Sequence, residues 1–396
     1  MKNFIFISPN FPDSYWKFCA ELKNNGMRVL GIGDSPYDQL KQELRNSLHE
    51  YYKVSNLENY EEVFKAVAFF TYKYGKIHWL ESNNEYWLTR DAKLRTEFNI
   101  TSGFKNEDMD KINRKSCMKE YYQKAGLPVA RYHLVDKYED AVEFIRTVGY
   151  PVVVKPDDGV GATNTFRLKN DEDLRRFLDN KDENSYIMEE FVKGHVETYD
   201  AIIDADGNPI FESGNVTPNS LMDIVNNRED SIYYIVKEPA PDIRRAGLKT
   251  VAAFGVKSRF VHLEFFVLDQ DLVGLGRAGD VVGLEVNMRP AGGYTPDMYD
   301  YAYDTDVYKI WADMIAFNHS TKNPYQTRRF CAFVGRRDGK QYALDHTAII
   351  HKYGSKIKIS GRIPDALSNC MGNFMYIGAL DTKEELDQFF ADLLRC

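Results

Sequence analysis

Residues 260–297 read FVHLEFFVLDQDLVGLGRAGDVVGLEVNMRPAGGYTPD, and two short strand patterns within them each carry an acid. Alternation along the first puts His262, Glu264, Phe266 and Leu268 on one face and Val261, Leu263, Phe265 and Val267 on the other. In the second, Glu285, Asn287 and Arg289 share a face, with Leu284, Val286 and Met288 opposite. A glutamate set between aromatics is costly unless a cation meets it. Two acids, an amide oxygen and an arginine, followed by a Pro-Ala-Gly-Gly turn, make an oxygen-rich donor set for a hard cation. Mg²⁺ suits it, with phosphate oxygens as its usual further ligands. A lone E-x-N-x-R is better read as a solvated strand face. The second acid-bearing strand and a Lys-Pro-Gly-rich segment upstream favour a site.

Composition narrows the function classes. With 396 residues, two to three domains are expected. A hydrophobic fraction of 43% and a charged fraction of 28% are those of a soluble globular protein. The net charge of −8 leaves no broad basic surface for nucleic acid. Cys19, Cys117, Cys331, Cys370 and Cys396 form no C-x-x-C pair, so neither a zinc ribbon nor a redox motif is expected, and a reducing cytoplasm is the simplest setting. The N-terminal KNFIFISPNFPDS has no cleavage pattern, and no apolar run nears the roughly 20 residues that span a bilayer.

Residues 1–108 alternate strand and helix patterns, which predicts an open parallel, Rossmann-like sheet. Its first strand–helix turn, SPNFPDS, lacks glycine, and Gly31 and Gly33 form only a weak G-x-G, so dinucleotide binding is not expected. Glu81 to Glu85 falls at a strand end, where such sheets place ligands. Residues 109–126 read as one helix with Asp110 as its cap and Lys111, Lys115 and Lys119 on one face, a solvated basic face for at least two of the three. PVVVKP reads as a strand buried on both faces, with Lys155 leaving its end. The loop that follows, DDGVGATNT, lets backbone approach a phosphate at Gly159 and Gly161, and Thr163, Asn164 and Thr165 add donors; a plain hairpin turn is the equal alternative. Asp171 reads as the cap of the next helix. The EEFV edge at Glu189 to Val192 then offers main-chain groups, and Glu197 begins the following strand.

Taken in order, Lys115, Lys155, the glycine loop, EEFV, Glu264 and E-V-N-M-R resemble the ATP-grasp superfamily over residues 110–315. The resemblance implies a multidomain α/β and α+β protein, with an N-terminal Rossmann-like parallel sheet followed by a two-lobed ATP-grasp fold. It implies that Lys115 and Lys155 contact ATP phosphates, and that Gly159, Gly161 and Thr163 belong to a loop closing over them. Glu189, Glu190 and Val192 become the hinge whose main chain meets adenine, and Glu197 the acid near ribose. Glu264, Glu285 and Asn287 become ligands of Mg²⁺ (or Mn²⁺), and Arg289 steadies the transferring phosphoryl group. The implied activity is activation of a small carboxylic acid as an acyl phosphate, followed by attack of an amine. No side-chain nucleophile is needed, which suits the lack of G-x-S-x-G. Rival readings are a non-catalytic nucleotide sensor or scaffold, and a kinase or bicarbonate-activating enzyme of the same fold.

The expected division is 1–108 for the N-terminal domain, 109–190 for a lid lobe, 191–325 for a metal-bearing lobe and 326–396 for a C-terminal segment. That last piece serves either as a cap on the site or as a homodimer contact. Glu264 and Glu285 stand further apart in sequence than the family's tight hairpin, so the pairing of their strands is left open. Arg277, within the inserted LVGLGRAGD, reads as exposed.

Overall fold

The strand Asn3–Ile7 (β1) is apolar apart from Asn3, and all five of its residues are buried. It sits inside a parallel sheet with Arg28–Gly33 (β2), Glu50–Lys53 (β3) and Ile77–Glu81 (β4), in the order β3-β2-β1-β4. A strand covered on both faces has no room for alternating polar residues, which is why β1 is so uniformly apolar. The parallel sheet expected for residues 1–108 is the one observed. The computed structural model describes residues 1–159, 164–218 and 228–396.

A small antiparallel sheet follows, built from Tyr132–Val135 (β5), Val152–Pro156 (β6), Phe166–Leu168 (β7) and Tyr186–Glu190 (β8) in the order β5-β8-β6-β7. The large sheet contains Gly194–Ile203 (β9), Pro209–Ser213 (β10), Asn215–Thr217 (β11), Ser231–Ile235 (β12), Arg259–Leu268 (β13), Val281–Asn287 (β14), Phe330–Arg336 (β15), Ile357–Arg362 (β16) and Phe374–Leu380 (β17). Its order is β14-β13-β9-β11-β12-β15-β17-β16, with β10 beside β9. The C-terminal strands therefore continue the sheet that carries Glu264 and Glu285.

The helix Val307–Phe317 lies where the two large units meet. Trp311 packs edge-on against Phe4 and Phe18 of the N-terminal unit, and the same core takes in Ile202, Phe211 and Phe260 from the large sheet. Burial of this shared apolar surface, at roughly 25 cal/mol per Å², holds the N-terminal sheet against the rest. No helix among the described residues is long and apolar enough to cross a membrane.

Four local expectations are corrected. Residues 109–126 form two helices, Met109–Asn113 and Lys115–Lys124, broken at Arg114, which is extended at φ −94°, ψ 118°. Asp110 is not the cap. The second helix is anchored by Asp157: its carbonyl accepts the Lys115 N–H at 2.7 Å, and its carboxylate accepts from the Ser116 N–H at 2.8 Å and hydroxyl at 2.9 Å. A carboxylate at orphan N–H groups satisfies donors the helix cannot. The helix Asp171–Asn180 is capped by Asn170 rather than Asp171, through the Asp173 N–H. Finally, β6 is not buried on both faces: Val152 and Val154 enter the core, while Val153 and Lys155 face a cavity.

Candidate active site

The strands β13 and β14 pair antiparallel, with Glu264 directly opposite Glu285 and His262 opposite Asn287. Pairing across the 269–280 insertion, open in the sequence, is thus fixed. One face of the pair is apolar: Val261, Leu263, Phe265 and Val286 join the core beneath the helix Pro241–Phe254. That burial turns Glu264, Glu285 and Asn287 outward together. A β-bulge between Glu264 and Phe265 is pinned from below by the Tyr122 hydroxyl, which donates to the Glu285 and Glu264 carbonyls at 2.9 and 3.2 Å. Gly283 makes room for this ring; a Cβ there would lie 2.5 Å from Tyr122 Cγ.

The outward groups line a cavity of about 560 Å³ between the small sheet and the large one. Asn287 Nδ2 donates to Glu264 Oε1 at 3.1 Å, and Arg289 Nη2 donates to Asn287 Oδ1 at 3.1 Å. Arg289 also forms an ion pair with Glu85, just beyond β4. Lys115 Nζ stands 3.6 Å from Glu285 Oε1 and donates to the Gly159 carbonyl at 3.1 Å. Lys155 and Lys119 both reach Glu189 Oε1, at 3.2 and 3.1 Å.

The expected solvated basic face is overturned: Lys115 is 3% exposed and Lys119 1%. Only Lys111 departs from the site, on the other side of the break at Arg114, where it pairs with Asp108 at 2.7 Å. Burial alone would raise the Glu189 carboxyl, but Lys119 and Lys155 overcome it and hold the pKa at about 2. Burial carries Lys119 below the usual lysine range in spite of Glu189, whereas for Lys155 Glu189 and then Glu285 outweigh burial and raise it.

The expected hinge is placed differently in part. Glu189 and Glu190 lie within β8, the strand flanked by β5 and β6, so their main chain belongs to the sheet. The Glu190 N–H donates to the Arg131 carbonyl at 3.0 Å, and its carboxylate accepts from the Arg131 N–H at 2.7 Å and Nε at 2.9 Å. Phe191 and Val192, past the strand end, do line the cavity. Beside them the insertion folds back, and Leu275 packs with Val192, Leu268 and Val282 as an apolar wall. Arg277 is exposed, as expected. Glu197 does not line the cavity; its carboxylate meets His195 Nε2 at 3.2 Å. Gly159, at φ 120°, borders an adjoining cavity that also takes in Lys115 and Lys155. Gly161 and Thr163 lie outside the described residues.

Two residues escaped the sequence reading. His262 bridges Asp200 Oδ1 at 2.6 Å and Glu264 Oε1 at 3.3 Å. Burial opposes its charge, but Asp200 and then Glu264 raise its pKa to about 9, so the ring is an imidazolium at neutral pH. Asp200 is fully buried and also accepts from the Thr198 hydroxyl at 2.8 Å. The only sequence signal was that His262 shares the alternating face of Glu264.

The donor set fits a hard cation. Glu264 and Glu285 supply carboxylates on one face, and Asn287 brings an amide oxygen beside them. No group of three His, Cys, Asp or Glu residues closes a metal site among the described residues. A cation held here would need oxygens from a bound anion, which is the usual Mg²⁺ arrangement. Burial pushes the Glu285 carboxyl up, with Glu264 adding to what Lys115 offsets; Glu264 is held down because His262 and Arg289 overcome burial. A divalent ion would relieve that conflict.

Residues 120–270 match the family model described as the ATP-grasp domain. Over 199 residues the chain is 29% identical to the carbamoyl phosphate synthase large chain of Thermotoga petrophila, covering 47% of this chain and 17% of that one. The matched stretch therefore spans less than a fifth of that relative's length. It is 25% identical to the L-arginine-specific L-amino acid ligase of Bacillus subtilis over 275 residues, 67% of this chain and 64% of the other. The crystal structure of an L-amino acid ligase from Bacillus licheniformis superposes with a TM-score of 0.72 at 15% identity, covering 98% of this chain and 96% of that one. The biotin carboxylase domain of Hydrogenobacter thermophilus 2-oxoglutarate carboxylase, solved with MgADP and bicarbonate, gives 0.70 at 14% identity, with 99% and 89% covered. At such identities the likeness is one of fold. Residues 120–270 thus match the ATP-grasp domain, and the likeness of fold to these two structures extends over nearly the whole chain.

Proposed function

We propose that the chain is an ATP- and Mg²⁺-dependent ligase that activates a small carboxylic acid as an acyl phosphate and joins it to an amine. One observation carries this reading: Lys115, Lys155, Arg289 and the Glu264–Glu285–Asn287 set converge on a single cavity. A carboxylate is a poor electrophile until its oxygen is phosphorylated, and that transfer needs neutralised phosphate charge and fixed geometry. Mg²⁺, or Mn²⁺ in its place, would supply charge neutralisation and a template for the phosphates. Lys115 and Lys155 are the phosphate-facing cations, each now resting on a carboxylate it can share. Arg289, steadied by Glu85 and Asn287, faces the transferring group. Phe191 and Val192, with Phe266 nearby, form the apolar wall for adenine, while Glu189 serves the two lysines through its side chain.

In this reading residues 109–190 are the lid lobe and 191–325 the metal-bearing lobe, in a cytoplasmic enzyme acting on small molecules. The likeness to two L-amino acid ligases favours amino acids as both acid and amine. The test is ADP and phosphate release with ATP and Mg²⁺ across pooled carboxylic acids, with and without pooled amines, followed by mass analysis. ADP release that requires both substrates, with a dehydrated adduct, is the expected result, and Lys155→Ala or Glu285→Gln should abolish it. Release needing no amine, or persisting in Glu285→Gln, would overturn the reading.

A further inference from the structure

A second cavity, of about 540 Å³, opens at the far end of β13 and shares no lining residue with the first. Arg259 forms part of its wall, five residues before Glu264, or about 16 Å along the strand. Its chemistry is one-sided. Lys2 enters it from just before β1, Lys76 from just before β4, and Lys257 from the turn ahead of β13. Among the described residues none of these three lysines has an ion pair, although the chain carries a net charge of −8. Asp108 is the one acid in the lining, and it is already committed to Lys111 at 2.7 Å and to the Lys105 N–H at 3.0 Å.

Neutral and buried groups add donors to the same space. His78 Nδ1 accepts the Asn3 N–H at 3.0 Å, so the neutral ring carries its proton on Nε2 and is a donor there. Burial first, and then Lys76 and Lys2, lower the His78 pKa, which reports a positive field. Arg259 is 3% exposed, and its Nε is buried with no hydrogen-bond partner. Its Nη2 pairs with Glu81, which Arg95 also claims at 2.9 Å. Two guanidiniums thus share one carboxylate beneath the cavity. Arg95 also stands 3.9 Å from Asp91, whose carboxyl burial raises in spite of Arg95, so its charge offsets the two guanidiniums only in part. Low-dielectric walls lined by charge of one sign focus that field into the cleft.

We infer that this cavity is a binding site for a small, multiply charged oxyanion, either a phosphorylated or a polycarboxylate metabolite, separate from the nucleotide cavity. Its volume is that of a small-molecule site. The inference does not depend on the ligase reading, since it uses none of the residues placed in that reaction.

The test is calorimetry on the full chain with ADP and Mg²⁺ saturating, so that the cavity at Glu264 and Glu285 is occupied. Inorganic phosphate and tricarballylate are titrated separately. Saturable one-site binding of at least one is expected; phosphate alone assigns the phosphoryl class and tricarballylate alone the carboxylate class. Lys76→Ala with Lys257→Ala, both exposed, should weaken that binding at least tenfold and leave ADP affinity unchanged. A control pair of exposed lysines elsewhere, Lys169→Ala with Lys322→Ala, should leave it within twofold. The proposal is overturned if neither anion saturates, if the cavity variant binds like the unaltered chain, or if the control pair weakens binding as much.

Discussion

Glu264 and Glu285 occupy one register position on neighbouring antiparallel strands, so two carboxylates face each other on the wall of a cavity. Like charges placed directly opposite are destabilising by about 0.2–1 kcal/mol. Lys115 outweighs the push of Glu264 on Glu285, and it is burial that leaves the Glu285 carboxyl above its usual range.

The first expectation concerns the cation. With ADP present, adding Mg²⁺ should raise the thermal midpoint, and EDTA should reverse the gain. Glu285→Gln should remove most of the metal-dependent part. Without cation, the same change should alter stability by less than about 1 kcal/mol, because lost repulsion and the lost Lys115 contact oppose each other. Calorimetry of both proteins with and without EDTA checks this; equal metal-dependent shifts would contradict it.

Glu189 sets an acid limb. Its folded-state pKa of about 2 lies below the ordinary 4.5. A depressed carboxyl contributes stability that is fully present above pH 4.5 and is lost as pH falls toward 2. The shift corresponds to at most on the order of 3 kcal/mol, and burial of Lys119 reduces the net. Glu189→Gln leaves two buried ammonium groups without their carboxylate and should cost about 3–5 kcal/mol at pH 7. Urea unfolding between pH 3 and 6 should show the limb in the unaltered chain and a flatter one in the variant.

Arg289 depends on Glu85 for its direction. Glu85→Ala should lower turnover about tenfold, or about 1.4 kcal/mol, with nucleotide KM nearly unchanged. Arg289→Lys should lose about 10²–10³-fold, because a point charge cannot reproduce the guanidinium fork. A raised KM with unchanged kcat for Glu85→Ala would make Glu85 a substrate contact instead.

Asp200 and His262 should behave as one unit. His262→Asn strands the fully buried Asp200 carboxylate and should cost about 3 kcal/mol. Asp200→Asn with His262→Asn should cost clearly less than the sum of the single changes, with a coupling of about 1.5 kcal/mol or more in chemical unfolding. Additive losses would mean that the 2.6 Å contact carries little energy.

What the sequence disclosed follows from how local each signal is. The faces of β13 and β14 were legible because burial of Val261, Leu263, Phe265 and Val286 forces period-two alternation. The parallel N-terminal sheet was legible from its repeated strand–helix pattern. The break at Arg114 was not, since Asp157, more than forty residues later, fixes it. Lys119 was misread as solvated because Glu189, which makes its burial tolerable, is seventy residues away in the chain. Glu189 itself was taken for its main chain, a choice that turns on β8 being flanked by two strands, and no local pattern encodes a strand's neighbours. His262 was placed on the face of Glu264 but given no role, because its decisive partner, Asp200, sits on β9.

The ion pair between Glu85 and Arg289 joins residues 204 apart in the chain, and that bears on protein engineering. An N-terminal sheet grafted from a relative would have to bring a carboxylate to the position of Glu85, as well as an apolar surface for Trp311. Without it the hybrid should fold and bind nucleotide, yet turn over slowly, its arginine lacking a direction. The N-terminal unit is therefore no interchangeable cartridge for substrate choice. Recombination at residue 108 should yield well-folded proteins of about tenfold lower turnover, which a single restored glutamate would revive.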